Sequence, residues 1–314
     1  MEKIIEAENL KKYFGKVKAV DGISLSVEKG ELFGFLGVNG AGKSTTINML
    51  CTLFVPTDGK ARICGFDLVK DAEQIKRKIG IVYQNNCLDE RLSVKENLML
   101  WSSLYGLTSR EQRERLLEIC DILELNDILE KRFGTLSGGQ KRRCEIAKAL
   151  MHRPEILFLD EPTTGLDPAT RKSVWETVEK LRHEMEMTVF LTTHYMEEAA
   201  RATSIAVIDG GRLRETGTPF ALKERYASDK LNLIPKAGKE EALSSHLADR
   251  KIAYKKKEER LIVRLENSME SLDLLDDIRA DIEGFEVIQG TMDDVFLQVT
   301  GKSAAAEQQG VSVS

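Results

Sequence analysis

The first residues that could do chemistry lie in residues 37–45, a glycine-rich stretch that reads GVNGAGKST. An apolar run precedes it and a helical pattern from about Ser44 to Leu53 follows it, which is the strand–loop–helix context of a phosphate-binding loop. Its glycines let the backbone turn tightly, so that successive N–H groups and the positive end of the helix can face phosphate oxygens. Lys43 can reach the β- and γ-phosphates, and the Ser44 hydroxyl can ligate magnesium. The sequence therefore predicts a nucleoside triphosphate site.

Polar residues end three other apolar runs. The run that begins at Ile156 ends in Asp160 and Glu161, and two others end at Gln84 and His194. Because parallel strands present their carboxyl ends at one edge of a sheet, we expect these side chains beside the phosphate loop (residues 37–45). Asp160 is suited to hold magnesium, and Glu161 to orient or deprotonate a water in line with the γ-phosphate. The alternative is a pair of solvated acids at a strand end.

Two helix starts and one aromatic residue are further candidates. Residues 136–140, LSGGQ, run directly into a basic helix, and a serine with two glycines there forms an anion-binding end or a plain N-cap. Asp167 precedes Pro168, which predicts an N-cap. Phe14, with Tyr13 beside it, can stack on an adenine face or pack as a strand residue.

Composition narrows the class of protein. A length of 314 residues suggests about two domains, and the 42 % of hydrophobic residues can fill ordinary cores. The net charge of −5 argues against a general nucleic-acid binder. No run of apolar residues approaches the ~20 that a membrane-spanning helix needs. The five cysteines are scattered along the chain, which predicts that they are reduced residues of a cytoplasmic protein. We therefore expect any membrane role to come from a partner subunit.

The surrounding elements must position these residues. Residues 4–30 alternate apolar and polar side chains, which predicts an antiparallel hairpin sheet with a turn at Asp21-Gly22. Residues 85–150 are predicted to form a helical insert, with capping boxes opening helices at Ser93 and Thr108. Core packing is the default for the apolar stripes of these two helices, which are Leu98, Trp101, Leu104 and Tyr105 on the first and Leu116, Ile119, Cys120 and Leu123 on the second.

The predicted domains are residues 1–228, residues 229–301 and a disordered tail at 302–314. The second domain should be a small α+β unit, for which a ferredoxin-like arrangement is one candidate. We expect its second helix over 268–282, with an inner face made of Leu272, Leu275, Ile278 and Ile282.

The phosphate loop, Gln84, LSGGQ, LFLDEP, Gly165-Leu-Asp167 and His194 occur in the order and approximate spacing of ATP-binding cassette (ABC) ATPases, which residues 4–225 resemble. The resemblance implies an α/β fold with a P-loop (RecA-like) core, an antiparallel β subdomain and a helical insert. It also implies ATP hydrolysis with ATP and Mg²⁺ as cofactors.

The resemblance assigns roles to individual residues. The catalytic residues would be Glu161, which polarises the attacking water, His194 at the γ-phosphate, and Lys43. Magnesium would be held by Ser44, Gln84 and Asp160. The nucleotide would be bound by Phe14, Gly37, Asn39, Gly40, Ala41, Gly42, Lys43, Ser44, Thr45 and Gln84. In a head-to-tail dimer, a second chain would add Ser137, Gly138, Gly139, Gln140 and Asp167.

Three stretches resemble the daunorubicin-resistance type of ABC exporter ATPases: the amphipathic ending at residues 292–301, Lys141-Arg-Arg after LSGGQ, and Thr193-His-Tyr-Met-Glu-Glu198. Many of those ATPases have Met at the position of Gln140. This resemblance implies a separate ABC-2 permease and a second ATPase chain as partners, no nucleic acid, and a place at the cytoplasmic face of the membrane. The permease would dock near residues 85–92 and 101–105. The alternatives are a soluble ABC ATPase acting on ribosomes or nucleic acid, and an uptake-type ATPase.

Overall fold

The computed structural model describes residues 2–301, so the tail that was predicted to be disordered, 302–314, lies outside the described residues. The chain divides into two compact units, the first ending at Gly217 and the second beginning at Thr218. This boundary precedes the helix Pro219–Tyr226, whereas composition placed it after that helix. The difference arises because this helix packs on the last helix of the second unit.

The first unit contains ten strands and seven α-helices among the described residues. In chain order these are β1 (Lys3–Phe14), β2 (Val17–Glu28), β3 (Leu32–Leu36), α1 (Lys43–Leu50), β4 (Asp58–Ile63), β5 (Phe66–Asp67), α2 (Ala72–Lys76), β6 (Ile79–Val82), α3 (Val94–Ser103), α4 (Ser109–Ile122), α5 (Gly138–Leu150), β7 (Ile156–Asp160), α6 (Pro168–Met185), β8 (Thr188–Thr193), α7 (Met196–Ala199), β9 (Ser204–Asp209) and β10 (Arg212–Gly217).

The central sheet has six strands in the order β10-β9-β3-β8-β7-β6, and every neighbouring pair except β9 with β10 is parallel. All five residues of β3 are buried, as expected of a strand covered on both faces. The phosphate loop leaves the carboxyl end of β3, and the segments after β6, β7 and β8 carry the predicted polar residues to the same edge. This α/β core agrees with the predicted fold class.

The antiparallel sheet has the order β2-β1-β4-β5. The predicted turn at Asp21-Gly22 was wrong, because β2 runs through both residues and the chain reverses at Gly15-Lys16 instead. The register of β1 and β2 shifts at Leu10/Lys11, opposite this point, and Gly22 has a φ of 84°. The turn-like dipeptide therefore forms a β-bulge.

The helical insert follows its capping signals. Ser93 and Thr108 both form the predicted capping boxes, with Glu96 and Glu111. The apolar stripe of α4 is buried as predicted, and so is Leu98 of α3. Leu104 and Tyr105 were wrongly assigned to the core, because α3 ends at Ser103 and leaves Leu104 70 % exposed.

The second unit begins with α8 (Pro219–Tyr226) and continues through β11 (Asp229–Pro235), α9 (Glu240–Asp249), β12 (Tyr254–Lys257), β13 (Arg260–Leu265), α10 (Glu270–Ile278), β14 (Ile282–Ile288) and α11 (Met292–Thr300). Its antiparallel sheet has the order β12-β13-β11-β14, which gives the ferredoxin-like β-α-β-β-α-β arrangement.

The inner face of α10 differs from the prediction. Leu274 and Ile278 are buried in an apolar core, and Leu275 packs against it. Leu272 is 53 % exposed, and Ile282 lies on β14 because the helix ends at Ile278.

Candidate functional site

The phosphate loop adopts a conformation that only glycine permits at two positions. Gly42 has a φ of 109°, and a Cβ there would lie 2.5 Å from the carbonyl oxygen of Ala19. A Cβ on Gly37 would lie 2.5 Å from the carbonyl oxygen of Ile208. The backbone therefore approaches its neighbours more closely than any side chain allows, and the loop encloses a space suited to phosphate oxygens.

Helix α1 begins at Lys43 and has no side-chain cap. Its N-cap is Gly42, and the first turn carries no acidic residue that would neutralise the positive end of the helix. Uncapped N–H groups and the helix dipole together favour a bound anion. The observed geometry of the loop and helix thus fits the phosphates of a nucleotide.

The Lys43 side chain folds back along the loop and is only 4 % exposed. Its Nζ donates to the carbonyl oxygens of Gly37 (2.8 Å) and Val38 (3.2 Å). The same atom lies 3.1 Å from Oε1 of Glu161. A positive charge is therefore held inside the loop and paired with the carboxylate at the end of β7.

The predicted magnesium ligands lie together. Oδ1 of Asp160 accepts hydrogen bonds from the Thr192 hydroxyl (2.6 Å) and the Ser44 hydroxyl (3.4 Å). Gln84 is exposed and lines the cleft into which the phosphate loop and Ser44 open. Hydroxyl, carboxylate and amide oxygens suit Mg²⁺, which takes few protein ligands alongside phosphates and water. Residues 2–301 contain no cluster of three or more His, Cys, Asp or Glu side chains that could hold a metal ion.

Glu161 occupies an unusual backbone position. Its φ is 46°, in the left-handed region, and its N–H contacts both the carbonyl (3.2 Å) and the hydroxyl (3.1 Å) of Thr192. A non-glycine residue in this region costs ~1–3 kcal/mol, and such strain is concentrated at functional sites. The turn directs the carboxylate toward Lys43 and His194 rather than along the strand.

The Glu161 carboxylate lies among three polar groups. Oε2 accepts from the Thr164 hydroxyl (3.2 Å) and lies 3.2 Å from Nδ1 of His194. The ring nitrogen lies close to the carboxylate but is not aligned for a good hydrogen bond. Burial raises the pKa of Glu161, but the contacts with His194 and Lys43 outweigh it and lower the pKa to about 2. The group is therefore ionised at neutral pH.

These residues surround a cleft of about 580 Å³, here called the nucleotide cleft. Besides the phosphate loop, it is lined by Gln84, Glu161, Thr164 and His194, by residues 17–19 of β2, and by Gly210 and Gly211. The last two were not predicted as site residues. Gly211 donates to the carbonyl of Ala41 (2.9 Å) and accepts from the N–H of Asp21 (2.8 Å). The Asp209-Gly-Gly signal in the sequence predicts the β9–β10 turn but not this contact.

Phe14 lies at the end of β1 and is 45 % exposed. Its ring meets that of Phe54 edge-on, with centroids 5.6 Å apart, and Nζ of Lys12 is 5.2 Å from the Phe14 centroid. The Tyr13 hydroxyl donates to Asp21 (2.5 Å), which ties that ring to the sheet. The geometry favours Phe14 over Tyr13 as an aromatic surface, and adenine stacking stays a prediction.

The second group of predicted nucleotide contacts lies apart from the nucleotide cleft. Ser137 caps α5 through a capping box with Gln140, and Gly138 beside it is exposed. A Cβ on Gly139 would lie 2.8 Å from Cγ2 of Thr170, so α5 and α6 approach closely there. Asp167 caps α6, as predicted, by accepting from the N–H groups at positions 169 and 170. The fold thus brings the strand-end residues together and leaves residues 137–140 and Asp167 facing elsewhere.

Comparisons with known proteins agree with this arrangement. Residues 20–164 match the ABC transporter family, and residues 217–300 match the C-terminal domain of DrrA1-3-like ATP-binding proteins. The daunorubicin/doxorubicin resistance ATP-binding protein DrrA of Streptomyces peucetius is 38 % identical, with 98 % of each chain covered. The linearmycin resistance ATP-binding protein LnrL of Bacillus subtilis (strain 168) is 43 % identical, with 76 % of this chain and 77 % of that protein covered.

Solved structures give the same result for the first unit. The dimeric ATP-binding cassette MJ0796, in a post-hydrolysis state with ADP and Pi, is 30 % identical with a TM-score of 0.61 and covers 68 % of this chain and 98 % of its own. The cbiO1 subunit from Clostridium perfringens is 27 % identical with a TM-score of 0.66, covering 71 % of this chain and 91 % of its own.

Proposed function

The chain belongs to the ABC transporter ATP-binding proteins, and we propose that it is the ATP-hydrolysing subunit of an exporter whose membrane path is formed by a separate permease. One observation supports the hydrolytic role above all others. Glu161, Lys43 and His194 meet at the carboxyl edge of the sheet, directly beside a loop that fits phosphate.

The residues on this edge divide the work of phosphoryl transfer. The loop N–H groups and the start of α1 hold the phosphates, and Lys43 exchanges its carbonyl partners and Glu161 for phosphate oxygens. A magnesium ion bound by Ser44, Asp160 and Gln84 would neutralise phosphate charge. Glu161 orients the attacking water, and His194 contacts the γ-phosphate. Such positioning and electrostatic stabilisation is the main source of catalysis in phosphoryl transfer.

The low pKa of Glu161 limits what it can do while Lys43 contacts it. A carboxylate with a pKa of about 2 is a weak proton acceptor at neutral pH. When Lys43 turns toward a phosphate, the carboxylate loses a positive neighbour and its pKa rises. The loss of the Lys43 contact would therefore make Glu161 a stronger base than it is in this structure.

A nucleotide site that includes residues 137–140 needs a second cassette. Ser137 and Gly138 are exposed and do not line the nucleotide cleft of their own chain. A second copy or a close relative, arranged head to tail, would place this glycine-flanked serine at the γ-phosphate. We therefore expect a monomer to bind ATP and hydrolyse it poorly.

The permease would dock in a groove of the first unit. No helix within residues 2–301 is long and apolar enough to cross a membrane. A groove of about 570 Å³, here called the docking groove, is lined by Cys87, Trp101, Leu104 and Tyr105 together with residues of α2, β6 and α5 and of the segment that follows α1. Its exposed apolar rim fits an amphipathic segment of a partner. The names of the relatives, which concern drug resistance and multidrug transport, favour export over uptake.

A pair of leucine variants tests the docking groove. Leu104→Asp should lose co-purification of a membrane permease, identified by mass spectrometry from native membranes, while the ATPase rate of the purified chain is retained. Leu117→Asp is the matched control, since Leu117 of α4 is also exposed, at 64 %, but does not line the groove. Equal recovery of a permease by both variants would refute docking at this groove.

A further inference from the structure

The loop between β6 and α3 faces two places at once. Its residues 83–88, here called the bridging loop, carry Gln84 into the nucleotide cleft. Tyr83 and Cys87 of the same loop line the docking groove. The position of six residues therefore determines both how Gln84 meets the nucleotide and what shape the groove has.

Arg142 of α5 holds the first end of the bridging loop. Its guanidinium is buried, with the residue 5 % exposed, and donates to the carbonyl of Tyr83 (2.5 Å) and to that of Asp160 (3.5 Å). Burial lowers the pKa of Arg142 to about 10, so it remains charged at neutral pH. The side chain thus ties the ends of β6 and β7 together just before Gln84 and Glu161.

Glu145 of the same helix holds the second end. It is fully buried, and its Oε1 accepts from the N–H groups of Cys87 (2.5 Å) and Leu88 (3.0 Å). Its Oε2 pairs with Nζ of Lys148 (2.8 Å), which lies 5.1 Å from the centroid of Trp101 in the docking groove. A carboxylate that accepts two backbone N–H bonds fixes the geometry of the chain that supplies them.

Buried charges are costly unless they are paired, and helix packing alone does not require them. Both side chains lie on α5, whose N-cap is Ser137, and together they hold the two ends of the loop. We propose that Arg142 and Glu145 are positioning residues, which fix the bridging loop and thereby present Gln84 to the nucleotide cleft. Because Gln84 is a magnesium ligand only in the proposed function, that part of the inference rests on it.

Cys87 provides a direct probe of the loop. Its thiol is the exposed one among the cysteines, of which Cys51, Cys120 and Cys144 are buried. Sγ of Cys87 also contacts the carbonyl oxygen of Asn85 within the loop (3.7 Å), so the thiol is restrained while the loop keeps its shape. The rate of maleimide labelling at Cys87, followed by mass spectrometry of its peptide in the full-length chain, therefore increases when the loop opens. We expect Arg142→Gln and Glu145→Gln each to raise this rate about tenfold, as the loss of a charge-assisted hydrogen bond would.

Arg142→Gln and Glu145→Gln should shift the pKa of the Cys87 thiol in opposite directions. Burial raises the pKa of Cys87, and Glu145 raises it further, whereas Arg142 lowers it. A purely electrostatic effect would therefore speed labelling in one variant and slow it in the other, and a rise in both reports loop opening. Arg143→Gln is the matched control, since Arg143 lies one position along α5 but pairs with Glu124 (3.4 Å) and should label at the native rate.

A second measurement addresses Gln84. Arg142→Gln should raise the Mg²⁺ concentration for half-maximal binding of a fluorescent ATP analogue about tenfold, while its affinity without Mg²⁺ stays near native. Arg142→Lys keeps one charged donor, so its Mg²⁺ concentration for half-maximal binding should lie between those of the native chain and Arg142→Gln. If Arg142→Gln does not fold, Arg142→Lys and Glu145→Gln decide the matter.

Native labelling in folded Arg142 and Glu145 variants, or an equal rise in Arg143→Gln, would overturn the proposal. Raised labelling with an unchanged Mg²⁺ dependence would refute the part that concerns Gln84. Neither measurement involves a permease or turnover, so a failure of the export role is recognised separately.

Discussion

Two glycine-rich helix starts in the first unit resemble each other in sequence and differ in structure. Helix α1 has no side-chain cap, begins after a glycine with a φ of 109°, and opens into a cleft that contains Lys43 and Glu161. Helix α5 is capped by Ser137 through a capping box and opens away from that cleft. In the proposed function each of these helix starts supplies half of a site. Only the start next to the carboxyl edge of the sheet has charged side chains of its own chain, Lys43 and Glu161, around it.

The largest expected effect concerns the charged residues beside the start of α1. Glu161→Gln should lower turnover about 10²–10⁴-fold while ATP binding is retained, because it removes a positioned acid–base group but leaves the phosphate loop intact. Phosphate release and nucleotide binding are the measurements. Glu155→Gln, which acts at the other end of β7 where Glu155 pairs with Lys78 (2.6 Å), is the control and should leave turnover near native. Unchanged hydrolysis in Glu161→Gln would remove that residue from the role.

A pair of glycine variants separates the two helix starts. Gly42→Ala should weaken ATP binding at least about tenfold, because its Cβ meets the Ala19 carbonyl and its φ is unfavourable for alanine. Gly139→Ala meets only Thr170 of α6, so it should retain ATP binding and lose turnover in the dimer. Equal loss of binding in both variants would contradict the division of roles.

A pair of capping variants isolates the function of Ser137 from its structural role. Ser137→Ala and Thr108→Ala each remove the hydroxyl of a capping box and should cost about 1 kcal/mol of stability. Only Ser137→Ala should also lower turnover, by about tenfold, because only Ser137 would bond a phosphate of the partner.

Turnover of the native chain should rise more steeply than linearly with protein concentration. Strict proportionality down to dilute protein would exclude the head-to-tail site.

The smallest effect concerns pH and the Lys43–Glu161 contact. Because the pKa of Glu161 is lowered to about 2 in the folded chain, its contribution to stability is present above about pH 4.5 and is lost as the pH falls toward 2. The stability difference between the native chain and Glu161→Gln should therefore shrink between pH 5 and pH 3. Urea unfolding at these values measures it, and a constant difference would argue against the contact.

The sequence was sufficient for residues whose position depends on local signals and on one rule of parallel sheets. The phosphate loop follows a strand, and Glu161, His194 and Gln84 follow others, so their meeting could be predicted without coordinates. The caps at Ser93, Thr108 and Asp167 likewise depend on a few adjacent residues.

The errors arose where the outcome depended on the partner of a segment. Asp21-Gly22 has the composition of a turn, but pairing with β1 keeps it within a strand. Leu104 and Leu272 fit a helical stripe, but the ends and neighbours of their helices leave them exposed. The roles of Arg142 and Glu145 could not be predicted, since nothing local in the sequence shows that the bridging loop packs over them.

The hydrogen bond from Gly211 to Ala41 sets a lower limit on the length of chain that can form the nucleotide cleft. The segment 20–164 that matches the family contains the phosphate loop and Glu161, but it stops before His194 and before the hairpin that supports the loop from outside. A fragment that ends short of β10 would possess every phosphate-binding residue in sequence and lack the support that holds them in shape. Any shortened version of the chain must therefore extend at least to Gly211, the second glycine of that hairpin.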